Sequence, residues 1–249
     1  MQKRLAFLVH VFTAAGAWAG LQACCHISNG AYREAFLFMF LAVAIDSVDG
    51  TFARFLKVEE NCPHVDGRRL DDMVDYFTWV VTPTFFMVHS GVLPPIQAIW
   101  ALPLMCSALG MANRQAKTED DYFLGFPSLW NVVALYLWKF NLPSDCNAGI
   151  VVALAVAVLA PVKFIYPTKT VPFRNLSMAM MLSWIFLSAS SLLWSGGGAR
   201  ACFLLSLIFP VYYVGLSLYL NFATKPEPLK ERFGRTGTER ESGPSEEIQ

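Results

Sequence analysis

Charged residues are scarce in this chain. Only 15% of its 249 residues are Asp, Glu, Lys or Arg, whereas 55% are hydrophobic and the mean hydropathy is positive. One soluble core of this length does not need so many apolar residues. The shortage of charge therefore excludes an ordinary soluble globular protein and indicates an integral membrane protein.

The chain also lacks a net charge and a cysteine motif. Its 19 basic and 19 acidic residues cancel, so no excess of positive charge points to a nucleic-acid partner. The six cysteines form no CxxC pair, which favours small buried thiols over a structural zinc site. Residues 223–249 lack apolar periodicity and are rich in polar and charged residues, so we expect a disordered cytoplasmic tail.

Long apolar runs, in contrast, are abundant. A spanning helix needs about 20 mostly apolar residues, because the hydrocarbon core is about 30 Å thick and a helix rises about 1.5 Å per residue. The sequence predicts an all-α bundle of about eight transmembrane helices that forms one membrane domain, residues 1–222. The predicted spans are 5–25, 33–54, 71–90, 94–112, 127–141, 147–166, 176–195 and 201–222.

The basic residues indicate how this bundle is oriented. Lys and Arg near a span resist translocation and collect in cytoplasmic loops. With a cytoplasmic N-terminus, only Arg33, Lys139 and Arg200 of the 19 basic residues fall on the opposite side. We therefore expect both termini and residues 54–70 to face the cytoplasm.

Four aspartates lie at the edges of two predicted spans. Asp46 and Asp49 close one apolar run, and Asp71 and Asp75 open the next. At about 100° per residue, each pair shares one face of its helix, so two helices can bring four carboxylates to one point. Carboxylates at membrane depth are costly unless a cation, a partner or water meets them. Ligands that are all oxygen favour hard ions such as Mg²⁺ or Mn²⁺, which often bind substrate phosphates as well.

A simpler interpretation stays open for part of this pattern. A solvated acidic helix start would explain Asp71, Asp72 and Asp75, because the helix macrodipole favours acidic residues there. It does not explain Asp46 and Asp49, which end an apolar run. Asp72 lies about 100° away from Asp71 around the helix, so we expect it to point elsewhere.

Three small residues and an arginine extend the pattern. Gly50, Ala53 and Gly67 lie on the carboxylate stripes, where small residues serve either close approach of a ligand or tight helix packing. With Arg54 and the four aspartates they form D-x2-D-G-x2-A-R followed by G-x3-D-x3-D. This pattern resembles the signature of the CDP-alcohol phosphotransferases, membrane enzymes that transfer a phosphatidyl or phospho-base group from a CDP-linked donor to an alcohol.

The resemblance implies a role for each motif position. The four aspartates would surround two divalent ions, Mg²⁺ or Mn²⁺, and Asp75 would also deprotonate the acceptor hydroxyl. Gly50, Ala53 and Gly67 would border the cytidine nucleotide, and Arg54 would lie near its phosphates. CMP would be released.

The spacer between Arg54 and Gly67, FLKVEENCPHVD, has twelve residues and is longer than in most of that family. This spacer and the eight apparent spans resemble the bacterial phosphatidylcholine synthases, and DDYFLGFPSLWN at 120–131 is also similar to that subgroup. The resemblance implies CDP-diacylglycerol as the donor, free choline as the acceptor and the bacterial inner membrane as the location. The expected partners are these substrates and membrane lipids, without nucleic acid, and a homodimer stays open.

Other functions are weaker alternatives. An inositol-phosphate or glycerol-phosphate acceptor would need extra cations, for which Arg114, Lys117 and Arg174 are available, and serine is another acceptor. A cation-coupled transporter could use intramembrane carboxylates, but it has no use for the Gly, Ala and Arg positions and no inverted repeat is visible.

Choline carries a quaternary ammonium without an N–H, so aromatic faces and carboxylates must recognise it. Aromatic residues near the expected cytoplasmic face are the candidates, although an interfacial aromatic belt is the commoner role for any single one. The candidates are Tyr76, Trp79, Tyr122, Phe123, Phe126, Trp130 and Tyr166.

Reporter fusions test the orientation. Fusions at the C-terminus and within residues 54–70 should report a cytoplasmic location, because the basic residues there resist translocation. A fusion beside Arg200 should report the opposite side. An external signal from the C-terminal fusion would show that the spans are miscounted, with 127–141 the first suspect.

Overall fold

The computed structural model describes residues 2–113, 116, 122–167, 170 and 173–223. The predicted tail, apart from Ala223, and the cations Arg114 and Lys117 lie outside these residues. The helices are α1 (Gln2–Ser28), α2 (Tyr32–Phe55), α3 (Val58–Asn61), α4 (Gly67–Asp75), a π-helical segment (Tyr76–Val81), α5 (Thr82–His89), α6 (Gln97–Ala112), α7 (Trp130–Phe140), α8 (Ser144–Val158), α9 (Arg174–Leu193), α10 (Gly196–Ser206) and α11 (Ile208–Ala223). The strands are β1 (Tyr122–Leu124) and β2 (Lys163–Ile165).

The prediction of an all-α membrane bundle is confirmed. Each of the eight predicted segments contains helix. In the described part of the chain, four helical stretches are long and apolar enough to cross a membrane, and α6 and α8 are shorter apolar helices. The four stretches are Gln2–Ser28, Tyr32–Phe55, Arg174–Leu193 and Gly196–Asn221.

Two predicted spans are shorter in the structure, and in 147–166 strand β2 of a small antiparallel ribbon takes the place of the last helical turns. The predicted span 127–141 begins as a helix only at Trp130, and 147–166 ends as a helix at Val158. In the ribbon, Tyr122 pairs with Ile165 and Leu124 with Lys163. Side chains of α11 satisfy the outer edge of β2, a tertiary contribution that counting apolar residues cannot reveal.

Two glycines let α1 approach the helix that carries Asp71 and Asp75. A Cβ atom on Gly16 would lie 2.9 Å from Cγ1 of Val74, and one on Gly20 would lie 2.8 Å from Cε1 of Phe77. Only glycine fits such close contacts, which are typical of the small-xxx-small pattern in membrane helices. This packing holds α4 against α1, beside α2.

The helix that begins with α4 changes to π geometry directly after Asp75. Pro83 lacks an N–H and cannot complete an α-helical turn. Both the backbone N–H and the hydroxyl of Thr82 donate to the carbonyl oxygen of Phe77, the hydroxyl at 3.0 Å. Such π segments often lie at functional sites, and this one sets the directions of the side chains that follow Asp75.

The start of α2 contacts the end of α9 through hydrogen bonds. Arg33, at the start of α2, donates to the carbonyl oxygen of Leu192, at the end of α9. Lys139 Nζ lies 3.4 Å from the neighbouring carbonyl oxygen of Ser191. These cations cap the carbonyl end of α9, where the helix dipole favours positive charge. Phe40, later on α2, also contacts Trp184, earlier on α9, so the two helices run in opposite directions.

The bend after β1 depends on a glycine, and a substitution tests this. Gly125 has a φ of +86°, and a Cβ atom there would overlap the carbonyl oxygen of Val158. Gly125→Ala should therefore lower the free energy of unfolding by on the order of 2 kcal/mol, measured by thermal unfolding in detergent. Gly149→Ala is the matched control, because nothing lies within 4 Å of that position on α8. Equal unfolding midpoints for the two variants would contradict the role of Gly125.

Candidate active site

Three of the four motif aspartates form one cluster. One carboxylate oxygen from each of Asp46, Asp49 and Asp71 lies within 4.8 Å of the other two. Asp49 is only 6% exposed, and the other two are half-buried. Asp75 lies one turn beyond Asp71 and lines the same cleft, although it is not a member of this group. The structure thus brings the four predicted carboxylates to the junction of α2 and α4.

Helix α1 forms the back of this cluster. Thr13 and Gly16 line the narrow cleft beneath the carboxylates, together with Val74 and Thr78 from the opposite helix. Thr13 lines this cleft together with Asp49, and its hydroxyl donates to the carbonyl oxygen of Val9 at 3.3 Å. The site is therefore built by three helices, whereas the motif itself belongs to only two.

The donor set fits hard divalent cations. Three carboxylates this close repel one another unless cations or protons balance their charge. Their oxygens are the ligands that Mg²⁺ and Mn²⁺ prefer, and the half-buried position limits screening by water. The cluster can hold a metal ion, and its open side faces a larger space.

A cavity of about 970 Å³ adjoins the cluster. Its wall contains both polar and apolar residues. The polar residues include Asp46, Ser47, Gly50, Thr51, Arg54, Asp71, Asp72, Asp75, Arg174 and Asn175. The apolar residues include Val132, Met178, Met181, Trp184, Ile185 and Phe209. A ligand with a charged head and an apolar tail matches such a cavity.

The remaining motif positions separate into two groups. Gly50 and Arg54 line the cavity, and Arg54 Nη2 donates to Thr51 Oγ1 at 3.3 Å. Ala53 instead packs on a small apolar cluster of α1 and α3, and a Cβ atom on Gly67 would lie 3.0 Å from a ring carbon of His10. In this structure the small size of Ala53 and Gly67 serves helix packing, and their contact with a nucleotide stays a prediction.

Three of the proposed choline-binding aromatics have structural partners and do not line the cavity. The Tyr76 hydroxyl donates to the carbonyl oxygen of Leu104 at 3.1 Å. Trp130 is fully buried, and its indole N–H donates to Ser107 Oγ at 2.8 Å. Tyr122 is buried in strand β1. Their positions in the sequence are near the expected membrane interface. In the structure, however, helix packing places their rings inside the protein and away from the cavity.

The other aromatic candidates reach the cavity wall. Trp79 lies on the π-helical segment, and Phe123, Phe126 and Tyr166 come from the ribbon and the residues beside it. The rings of Phe123 and Tyr166 are 4.5 Å apart between centroids and tilted by 30°. The ribbon therefore places aromatic faces in the cavity with the carboxylates.

Two contributions to the site were not predicted from the sequence. Thr13 and Gly16 bring α1 into the site, and the signal that could have found them is the GAWAG stretch with its two glycines four residues apart. Asn175 lines the cavity beside Arg174, at the start of α9.

Asp72 is exposed but also contributes to the cavity wall, so the expectation that it points away from the site is only partly correct.

Comparisons with known proteins identify several relatives of the chain. The chain is 35% identical to the phosphatidylcholine synthase of Legionella bozemanae over 209 residues, which cover 77% of this chain and 92% of the relative. It is 34% identical to the phosphatidylcholine synthase of Pseudomonas aeruginosa, with 88% and 93% covered, and 32% identical to that of Borreliella burgdorferi, with 89% and 96% covered.

No protein-family model matches the chain. The relatives nevertheless extend over most of the membrane domain, so the likeness is much wider than the motif of residues 46–75. The chain therefore belongs to the phosphatidylcholine synthase family.

Proposed function

We propose that the protein transfers the phosphatidyl group of CDP-diacylglycerol to free choline and releases CMP. The observation that carries this proposal is the carboxylate cluster beside a cavity lined by both polar and apolar side chains. A nucleotide-linked lipid needs both kinds of lining, because its diphosphate requires cations and its acyl chains require an apolar surface. Membership in the phosphatidylcholine synthase family supports choline as the acceptor.

The aspartates would hold the metal ions of the reaction. Asp46, Asp49 and Asp71, with Asp75, would bind two divalent ions, Mg²⁺ or Mn²⁺, which when bound neutralise the diphosphate and polarise the phosphorus under attack. Arg54 lies on the same helix face as Asp46 and Gly50 and would donate to phosphate oxygens. The half-buried carboxylates keep their positions because α1 packs directly behind them.

Asp75 is suited to accept the proton of the choline hydroxyl. It lines the cavity one turn from Asp71, yet it is not a member of the tight three-carboxylate group. Because an aspartate is a weak base, proton transfer would accompany formation of the new P–O bond. The choline oxygen bonds to the phosphorus of the phosphatidyl group, the P–O bond to CMP breaks, and the proton goes to an Asp75 carboxylate oxygen.

Aromatic faces would hold the choline ammonium. Trp79, Phe123, Phe126 and Tyr166 line the cavity, where a cation over a ring gains about 0.5–2 kcal/mol. The paired strands hold Phe123 and Tyr166 close together, so these rings need little ordering when choline binds. Tyr76, Tyr122 and Trp130 are less suited, because they do not line the cavity.

The proposed location is the bacterial inner membrane, with the N-terminus and the carboxylate cluster on the cytoplasmic side. The charge asymmetry of the loops supports this orientation. A cytoplasmic site suits a water-soluble acceptor and a released nucleotide. A homodimer stays a prediction.

A direct assay tests substrate and metal together. Purified protein with CDP-diacylglycerol should release CMP with choline, and not with serine, inositol, inositol phosphate or glycerol phosphate, because the aromatic wall favours a quaternary ammonium. Excess EDTA should abolish turnover, and added Mg²⁺ or Mn²⁺ should restore it. Full activity in excess EDTA would contradict the role of the carboxylate cluster.

Aspartate variants separate a base from a metal ligand. Asp75→Asn should lower kcat by about 10²–10⁴ while CDP-diacylglycerol still binds, because a general base is lost. Asp46→Asn should weaken metal binding and donor binding together, since a neutral amide replaces an anionic ligand. Calorimetric binding and steady-state kinetics measure the two effects.

Two controls accompany these variants. Glu59→Gln changes an exposed carboxylate on α3 outside the cavity and should leave both kcat and KM unchanged. Asp72→Asn should retain most activity, because its carboxylate does not join the cluster. An inactive Asp72→Asn together with an active Asp75→Asn would overturn the assignment of the base.

A further inference from the structure

We propose that one face of α9 binds the phosphatidyl half of the donor lipid. Arg174 holds its phosphate, and Met178, Met181 and Ile185 line the path of an acyl chain. This inference rests on the proposed function, because it takes CDP-diacylglycerol as the donor. It assigns a binding role to a helix that carries no part of the aspartate motif.

The four residues form one stripe along α9. Their spacing of four, three and four residues places them within about 60° around the helix, and all four line the cavity. Leu182 and Phe186 lie on another face and are 58% and 67% exposed, as expected for side chains that face lipid. One apolar face of α9 therefore faces the membrane. A second apolar face, which begins with Arg174, faces the cavity.

The cation lies at the same end of the bundle as the carboxylates. Because Arg33 at the start of α2 contacts Leu192 at the end of α9, the two helices are antiparallel neighbours. The start of α9, with Arg174, therefore lies at the same end of the bundle as the last turns of α2, which follow Asp46. Arg174 and Asp46 line the same cavity from different helices.

The positive charges that line the cavity are divided between α2 and α9. Among the described residues that line the cavity, Arg54 and Arg174 are the only Lys or Arg side chains. Arg54 shares its helix with Asp46 and Gly50, whereas Arg174 heads the apolar stripe. A lipid diphosphate has one phosphate on the nucleotide and one on the glycerol, so Arg174 suits the phosphate attached to the apolar part.

The length of the stripe matches one leaflet. From Arg174 to Ile185 the helix rises about 16 Å, which is close to half of a hydrocarbon core about 30 Å thick. Trp184, next to Ile185, is a buried residue of the cavity wall. Its indole N–H donates to the Tyr136 hydroxyl at 2.9 Å, and its ring lies 5.8 Å from that of Phe40. A chain along the stripe would thus extend from Arg174 towards the midplane.

Steady-state kinetics in detergent test the role of Arg174. Arg174→Gln should raise the KM for CDP-diacylglycerol by about 10- to 100-fold, as expected for a lost charge-assisted hydrogen bond, and leave the KM for choline nearly unchanged. Arg174→Lys should recover part of the loss. Arg200→Gln is the matched control, because Arg200 is exposed and does not line the cavity.

The outcomes are separable. An unchanged donor KM in Arg174→Gln, with an active wild-type enzyme, would overturn the role of Arg174. An equal rise in both KM values would also overturn it, since a general disturbance of the cavity would explain the result. Wild-type protein that makes no phosphatidylcholine would instead overturn the proposed function.

Cross-linking of the unaltered protein tests the apolar stripe. A CDP-diacylglycerol analogue with a diazirine in one acyl chain should label Met178, Met181 or Ile185, and unlabelled CDP-diacylglycerol should suppress the labelling. Labelling confined to the lipid-facing Leu182 and Phe186, or labelling that the competitor does not suppress, would overturn the assignment of the acyl-chain path.

Discussion

The mutual repulsion of three carboxylates is the constraint on which the rest of the site depends. Asp46, Asp49 and Asp71 are held within 4.8 Å of one another at the ends of apolar helices, where water screens their charges poorly. Such an arrangement is stable only when cations balance the charge or when protons neutralise part of it. A site that needs cations is also a site that attracts a diphosphate, and this links the cluster to the proposed chemistry.

Helix packing makes this arrangement compatible with the fold. Gly16 and Gly20 have no side chains that would separate α1 from Val74 and Phe77, so α4 cannot move away from α1 without losing close contacts. The same packing leaves the other side of α2 and α4 open to a large cavity. A preorganised site for phosphate transfer requires carboxylates held in place on one side and access for the substrate on the other.

Much of the fold and the motif could be predicted from local properties of the sequence. The apolar runs predicted helices in all eight segments, because hydrophobicity over about 20 residues determines what can span a membrane. The helical period placed Asp46 with Asp49, and Asp71 with Asp75, on shared faces, and the structure brings Asp46, Asp49 and Asp71 together. Each of these results depends on neighbours along one helix.

Contacts between distant segments decided the rest. Strand β2 replaces the end of the predicted span 147–166, because α11 supplies hydrogen bonds to its edge. Tyr76 and Trp130 are aromatic and lie at the depth expected for choline binding. The Tyr76 hydroxyl and the Trp130 indole N–H, however, donate hydrogen bonds to groups inside the bundle. The sequence by itself determined the helices and the pairs of aspartates, whereas only the tertiary structure decided which side chains share the cavity, because helix rotation depends on the neighbours against which each helix packs.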